Sequence, residues 1–311
     1  MPDDPEPAPL VVLVPNADGV QALADDPLIR AVRYELGRPP GPEHLGASAI
    51  VVGYGRAEET AAFMAGLPSL ELVQTLNAGF EQWLGRVPTG VAISNARGAH
   101  GRSTAEWVVA VLLAHLRDLG AFAAAQAEGR WDARFVGTLD GAQVAVLGAG
   151  DIAGHVRAML EPFNAHVTLV GRTARDDILD VDGYRLIHGQ QDVIVLALPV
   201  SDDTVRMVDR GFLEAMKDGA IIVNAGRGAL VDTDALIAAT ADGRIHALVD
   251  VTDPEPLPAG HPMWSAPGIT ITPHVAGATT GLWDRAWQVA AAQLGAYARG
   301  ERPENLVVER S

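Results

Sequence analysis

Short apolar runs punctuate the chain at intervals that leave room for a turn or a helix between them. In the first hundred residues, 10–14, 49–52, 71–76 and 91–94 read as strands, 58–67 as a helix, and Pro39-Pro40-Gly41-Pro42 as a loop. This is a small α/β unit that names no chemistry by itself. From 103 to 116 the pattern lengthens into a helix, with Ser103 or Thr104 as its N-cap and Glu106 in its first turn. Trp107, Val108, Val109, Val111, Leu112 and Leu113 make it apolar nearly all round, which predicts burial between domains or subunits and a packing role. Residues 129–131 and 137–141 form an irregular connector.

Beyond that connector, strand-like runs at 144–147, 166–170, 192–198, 220–224, 245–251 and 269–272 alternate with helical stretches at 152–160, 211–216 and 235–241. Asp232-Thr233-Asp234 opens the last of these as cap and first-turn acids. Alternation of this kind predicts an α/β fold with a doubly wound parallel sheet, whose ligands bind beyond the carboxyl ends of the strands. A final helix, 282–298, carries Trp283 and Trp287 on one face, both expected in the core.

Composition narrows the classes. The 311 residues suffice for two domains, and 48% hydrophobic with 20% charged residues is ordinary for a soluble globular protein. No run approaches the ~20 apolar residues of a membrane span, and the acidic, proline-rich Met1-Pro2-Asp3-Asp4-Pro5-Glu6 is unlike a secretory leader. No membrane partner and a cytoplasmic location are the expectations. A net charge of -16 argues against a nucleic-acid partner. With no cysteine, catalysis must come from histidine, acids, arginine, hydroxyls or a cofactor, and no metal site is expected.

The run 144–147 feeds into Gly148-Ala149-Gly150-Asp151-Ile152-Ala153, the G-x-G-x-x-A spacing of a dinucleotide fingerprint in its strand, turn and helix context. Gly148 allows the tight turn, Gly150 the approach of a pyrophosphate, and the amides from Asp151 and Ile152 onward face the phosphates. Asp151 is unhelpful there unless its carboxylate points away. The next strand ends in Gly171-Arg172-Thr173, where the acid that accepts the adenine ribose of NAD is missing. Arg172 and Thr173, helped by Arg175, suit a 2'-phosphate. NADP is the expected cofactor, with NAD possible.

Three further motifs sit at strand ends: Asn224-Ala225-Gly226-Arg227-Gly228, Asp250-Val251-Thr252-Asp253-Pro254-Glu255-Pro256, and Thr272-Pro273-His274-Val275-Ala276-Gly277. With the fingerprint, and with 73–79 and 95–98, they closely resemble the D-2-hydroxyacid dehydrogenase family, which includes glyoxylate and hydroxypyruvate reductases. The resemblance spans nearly the whole chain. It implies a Rossmann-type doubly wound sheet over 101–278 and a second, smaller flavodoxin-like α/β substrate domain over 1–100, completed by 279–311.

The resemblance also assigns roles. His274 would be the general acid/base, Glu255 its partner, fixing its orientation and favouring the imidazolium, and Arg227 the clamp on the substrate carboxylate. Asn77, Ala78 and Gly79 would meet that carboxylate with Arg227 and His274. Leu198, Pro199, Thr204, Ala225, Gly226, Asp250 and Gly277 would line the cofactor, although Asp250 could instead cap a neighbouring loop. Tyr54, Trp283 and Arg285 are further candidates for the pocket. The implied reaction is hydride transfer between NADP(H) and a small 2-oxo or 2-hydroxy acid such as glyoxylate or hydroxypyruvate, by a homodimer joined through the helix at 103–116. A phosphoglycerate dehydrogenase-like enzyme, for which Arg56 and Arg86 are among the few basic candidates, is one alternative. A dinucleotide-sensing protein like the related co-repressors is the other. Glu255 argues against a formate dehydrogenase, whose relatives carry glutamine there.

Overall fold

The computed structural model describes residues 8–53 and 55–310, so Tyr54 and the acidic start of the chain lie outside the described residues. In chain order the elements are β1 (Leu10–Val14), α1 (Ala17–Ala22), β2 (Ile29–Arg33), β3 (Ala49–Val52), α2 (Ala57–Met64), β4 (Leu72–Thr75) and β5 (Ala92–Ser94). Then follow α3 (Gly101–Leu116), α4 (Leu119–Ala127), β6 (Gln143–Leu147), α5 (Asp151–Leu160), β7 (His166–Val170), β8 (Ile178–Leu179), α6 (Val181–Arg185), β9 (Val193–Leu196) and α7 (Arg210–Glu214). The chain ends with β10 (Ile221–Asn224), α8 (Thr233–Thr240), β11 (His246–Val249), β12 (Ile269–Ile271), α9 (Leu282–Ala298) and β13 (Leu306–Val308). Residues up to His100, together with those from Thr280, make one compact unit, and Gly101–Thr279 make the other.

The smaller unit is a six-stranded sheet of order β13-β5-β4-β3-β1-β2, the flavodoxin-like 2-1-3-4-5 arrangement with antiparallel β13 added at one edge. Val12, Val14, Val51 and Leu72 face one core, against Trp287, Ala290 and Leu294 of α9. Leu13, Ile50, Val52 and Val73 face the other, against Phe63 and Met64 of α2. Gly19 of α1 permits close approach to α9, since a Cβ there would lie 2.5 Å from the Trp287 ring. Trp287 is buried as expected, whereas Trp283, one turn earlier, is about half exposed.

The larger unit is an all-parallel seven-stranded sheet of order β12-β11-β10-β9-β6-β7-β8, which is the Rossmann order 3-2-1-4-5-6 with one strand more. Its strands are continuous apolar runs because both faces are covered. Val144, Val146, Val193, Val195 and Val223 pack with α3 and α5. Ala145, Leu147, Ile194, Leu196 and Ile222 pack with α6, α7 and α8.

Four features depart from the sequence reading. Helix α3 begins at Gly101, so Ser103 and Thr104 are buried first-turn residues and neither is the cap. Its buried face, including Ala105, Val108 and Leu112, belongs to a core shared with α5. Helix α2 stops at Met64, short of Leu67. The sequence pattern predicts none of α1, β2, α4, β8, α6 and β13, all being short or, like α4, without a two-sided pattern. No single helix among the described residues is long and apolar enough to cross a membrane.

Candidate active site

Register places the motifs of the larger unit along one line. Leu179, Val170, Leu147, Leu196, Asn224, Val249 and Ile271 are successive pairing partners across the sheet. The next residues of six of these strands are Gly171, Gly148, Ala197, Ala225, Asp250 and Thr272, so the candidate loops leave the sheet side by side. At about 4.8 Å per strand, the loops bearing Arg227 and His274 start about 10 Å apart, with the Glu255 loop between them.

At the fingerprint, Gly148 has φ +127°, and a Cβ there would lie 2.2 Å from the Ala197 carbonyl oxygen, so only glycine fits. Gly150 is the N-cap of α5 and has open space where a Cβ would stand. Helices α6, α7 and α8 are each capped by an aspartate side chain, Asp180, Asp209 and Asp232 respectively, but α5 has no side-chain cap. Its first-turn amides are thereby left for an anion, which fits a dinucleotide pyrophosphate. The Asp151 carboxylate lies over Gly101, where a Cβ would be 1.8 Å from its Oδ2, and 3.4 Å from His155. Ala153 is fully buried, as a helix packed close on its strand requires, and Ile152 packs at the edge of that core.

Arg172, Thr173 and Arg175 are exposed after β7, and Arg175 begins a turn closed by reciprocal backbone bonds with Ile178. Thr204 spends its hydroxyl within its own loop, accepting from the Ser201 amide at 2.7 Å and donating to the Pro199 carbonyl at 2.9 Å. Leu198 is half-buried, with its carbonyl 3.0 Å from where a Gly226 Cβ would stand.

The turn after β10 is shaped by buried Asn224. Its Oδ1 accepts from the Gly226 amide at 3.1 Å and its Nδ2 donates to the Arg227 carbonyl at 2.9 Å. Ala225 is buried there, and Gly228 passes so near the next loop that a Cβ would be 2.0 Å from the Thr252 carbonyl oxygen. Arg227 is half-buried, and one Nη1 hydrogen bond goes to the Gly226 carbonyl at 2.8 Å.

The loop after β11 is pinned by Thr252 Oγ1, donating to the Pro254 carbonyl, and by Thr233 Oγ1, donating to the Asp253 carbonyl. It presents Glu255 to the loop after β12, where Glu255 Oε1 lies 2.5 Å from His274 Nδ1. His274 stands in left-handed backbone, φ +54°. Asp250 is 3% exposed and takes the alternative role left open by the sequence: its carboxylate fastens the His274 loop, through Thr272, Val275 and Ala276. Gly277 continues that loop, its carbonyl accepting from the Thr279 amide. The sequence gives the side chains of Asn224 and Thr272 no role, and only the folded register shows what they hold.

In the smaller unit, Asn77, Ala78 and Gly79 follow β4. The Asn77 carbonyl accepts from Thr75 Oγ1 and the Ala96 amide, and the Ala78 carbonyl accepts from Asn95 Nδ2. With the carbonyls tied down, the Ala78 and Gly79 amides donate to no group among the described residues, an arrangement suited to a carboxylate. Arg285 donates to the Ala99 and Thr280 carbonyls. Among the described residues no group of three or more histidines, cysteines or acids could hold a metal ion.

Comparison with known proteins agrees with this arrangement. A family model for the NAD binding domain of D-isomer specific 2-hydroxyacid dehydrogenases matches residues 109–276. The chain is 31% identical to a glyoxylate reductase of Aeropyrum pernix over 257 residues, 77% of each chain. It is 29% identical to a D-3-phosphoglycerate dehydrogenase of Archaeoglobus fulgidus over 226 residues, 70% of this chain and 43% of that one. The crystal structure of a D-isomer specific 2-hydroxyacid dehydrogenase from Xanthobacter autotrophicus Py2, in complex with NADPH and MES, superposes with a TM-score of 0.80 at 26% identity, covering 95% of this chain and 98% of that one. The chain belongs to the D-isomer specific 2-hydroxyacid dehydrogenase family of NAD(P)-dependent oxidoreductases.

Proposed function

We propose that the protein reduces a small 2-oxo acid, such as glyoxylate or hydroxypyruvate, to the 2-hydroxy acid with NADPH as the preferred donor. The observation that carries this reading is the contact of Glu255 with His274, on loops one and two strands from that of Arg227, on the carboxyl edge that also bears the fingerprint. When bound, the nicotinamide supplies the hydride for the carbonyl carbon. Arg227 holds the substrate carboxylate through its planar fork and draws charge toward the carbonyl oxygen. His274, its Nδ1–H directed at Glu255, gives its Nε2 proton to that oxygen as negative charge develops there, and Glu255 stabilises the imidazolium before transfer. In the smaller unit, the amides of Ala78 and Gly79 are donors of the kind a carboxylate takes. Arg172, Thr173 and Arg175 receive the adenosine 2'-phosphate.

A phosphorylated substrate is less well served. Arg56 pairs with Glu59 and Arg86 with Glu58, so both basic candidates are already matched by acids of α2. The test is oxidation of NADPH and NADH with glyoxylate, hydroxypyruvate, 3-phosphohydroxypyruvate and a branched 2-oxo acid. Preference for the first two identifies the reductase, preference for the third a phosphoglycerate enzyme, and dinucleotide binding with no turnover a sensor.

We further propose a homodimer, with its contact on the segment after α3. Helix α4 is apolar, yet among its residues only Ala125 is buried. Beyond it, Glu128, Arg130, Asp132 and Arg134 alternate in an ion-paired ladder that ends on Asp118, and Arg134 also covers the Phe122 ring. Trp131, inside the ladder, and Phe135, just beyond it, are 96% and 104% exposed. A groove of ≈ 620 Å³ is lined by Leu113, Leu119, Phe122, Val136 and Phe163 together with Arg117 and Arg134. Four such aromatics from two copies would bury about 600–1,000 Å², and α4 would bring the total into the range of a specific interface.

A further inference from the structure

We propose that Thr272 is a positioning residue for His274, acting through the buried Asp250 carboxylate; the inference rests on the acid/base reading of His274 given above. Four bonds converge on Asp250 from one loop. Its Oδ1 accepts from Thr272 Oγ1 at 2.5 Å and from the Val275 amide at 2.9 Å, its Oδ2 accepts from the Ala276 amide at 2.8 Å, and its carbonyl accepts from the His274 amide at 2.7 Å. Every residue from 272 to 276 is thus bonded to this one aspartate except Pro273, which has no amide to offer.

The clamp matters because of what it holds. His274 has φ +54°, a conformation unfavourable to a residue with a Cβ, which persists only where the surroundings over-determine it. The imidazole has a second tether, Nδ1 to Glu255, which comes from a different loop. Its orientation therefore depends on keeping two loops in register. Of the four donors in the clamp Thr272 supplies the one from a side chain, and supplies it where β12 ends, so it fixes where the loop starts. Asp250 is 3% exposed, and water is poorly placed to replace a lost donor. Without the hydroxyl, a buried charge is short of one bond and the loop relaxes about Pro273, which displaces the ring from the proton it must deliver. The fingerprint lies four strands away on β6, so dinucleotide affinity is affected far less.

The experiment compares Thr272→Val, Thr272→Ala and Thr272→Ser in the full chain, with His274→Ala in parallel, by steady-state kinetics with NADPH and the best 2-oxo acid of the panel. Val is isosteric, and Ala removes the donor without a branched side chain should Val disturb the fold. The expected result is a kcat about tenfold lower in Val and Ala, with the dinucleotide KM within about threefold of wild type, and Ser restored to within about threefold in kcat. Wild-type kcat in Val and Ala, a loss confined to the dinucleotide KM, or Ser as slow as Val would each overturn the positioning role. Full activity in His274→Ala would instead remove the acid/base reading itself. Loss of activity there with a normal Thr272→Val would remove only this inference.

Discussion

His274 Nδ1 and Glu255 Oε1 meet at 2.5 Å although nineteen residues and a sheet strand separate them. The pair is half-exposed on both sides, so its value lies in orientation more than in stability. Changing Glu255 to Gln keeps the shape and replaces the carboxylate oxygen that holds His274 Nδ1 with an amide. We expect kcat to fall about 10- to 100-fold, with little change in dinucleotide KM. His274→Ala is expected to lose roughly 10²- to 10⁴-fold. Steady-state kinetics of the two variants check this, and a Gln variant as fast as wild type would leave Glu255 a loop residue.

What the sequence shows about this site depends on how local the physics is. Gly148 and Gly150 are legible because a tight turn and an uncapped helix start are decided within six residues. The apolar runs of β6, β9, β10 and β11 are legible because a sheet covered on both faces leaves no polar alternation. The meeting of Glu255 and His274 came only through family resemblance, since nothing in either segment specifies the register of β11 with β12. The clamp on Asp250 joins its carboxylate to one hydroxyl and two backbone amides 22 to 26 residues away. Its role stayed open between cofactor and loop for that reason. Helix α4 is not legible because Leu-Gly-Ala-Phe-Ala-Ala-Ala-Gln-Ala has no polar face against which to define an apolar one.

Cofactor choice turns on Arg172. It is exposed and follows β7 where Gly171 leaves no carboxylate. Wild type is expected to show higher kcat/KM with NADPH than with NADH. Arg172→Asp should lower the NADPH value about 10- to 100-fold, the worth of one or two charge-assisted bonds, while changing the NADH value far less. Equal use of the two dinucleotides by wild type would remove this assignment.

His188 sets a pH dependence of stability. Its Nδ1 accepts from the Tyr184 hydroxyl at 2.7 Å and its Nε2–H donates to the Phe212 carbonyl at 2.9 Å, so the neutral ring satisfies both neighbours. Burial pushes its pKa below the ordinary 6.5, against the weaker opposing pull of the Phe212 carbonyl. The unfolded chain therefore takes up this proton at higher pH than the folded one. Stability from this group is complete above about 6.5 and is lost as pH falls below it, with a slope of at most about 1.4 kcal/mol per pH unit. Urea unfolding between pH 7.5 and 5.5 should show a shallower pH dependence in His188→Gln than in wild type. The same slope in both would assign the acid sensitivity to other groups.

Trp131 and Phe135 offer the last test, because their charged neighbours already neutralise one another. Glu128, Arg130, Asp132, Arg134 and Asp118 pair with one another and leave the two exposed rings as the segment's unsatisfied part. Replacing both rings by serine removes apolar surface that the monomer does not bury, so monomer stability should change by less than about 0.5 kcal/mol. Association should weaken strongly, since aromatic anchors commonly carry 2 kcal/mol or more each at an interface. Sedimentation of wild type as a dimer, and of Trp131→Ser/Phe135→Ser as a monomer with an unchanged melting curve at high dilution, is the expected pair of results. A double variant that remains dimeric would move the contact elsewhere, and the exposed face of α3 would be the next place to mutate.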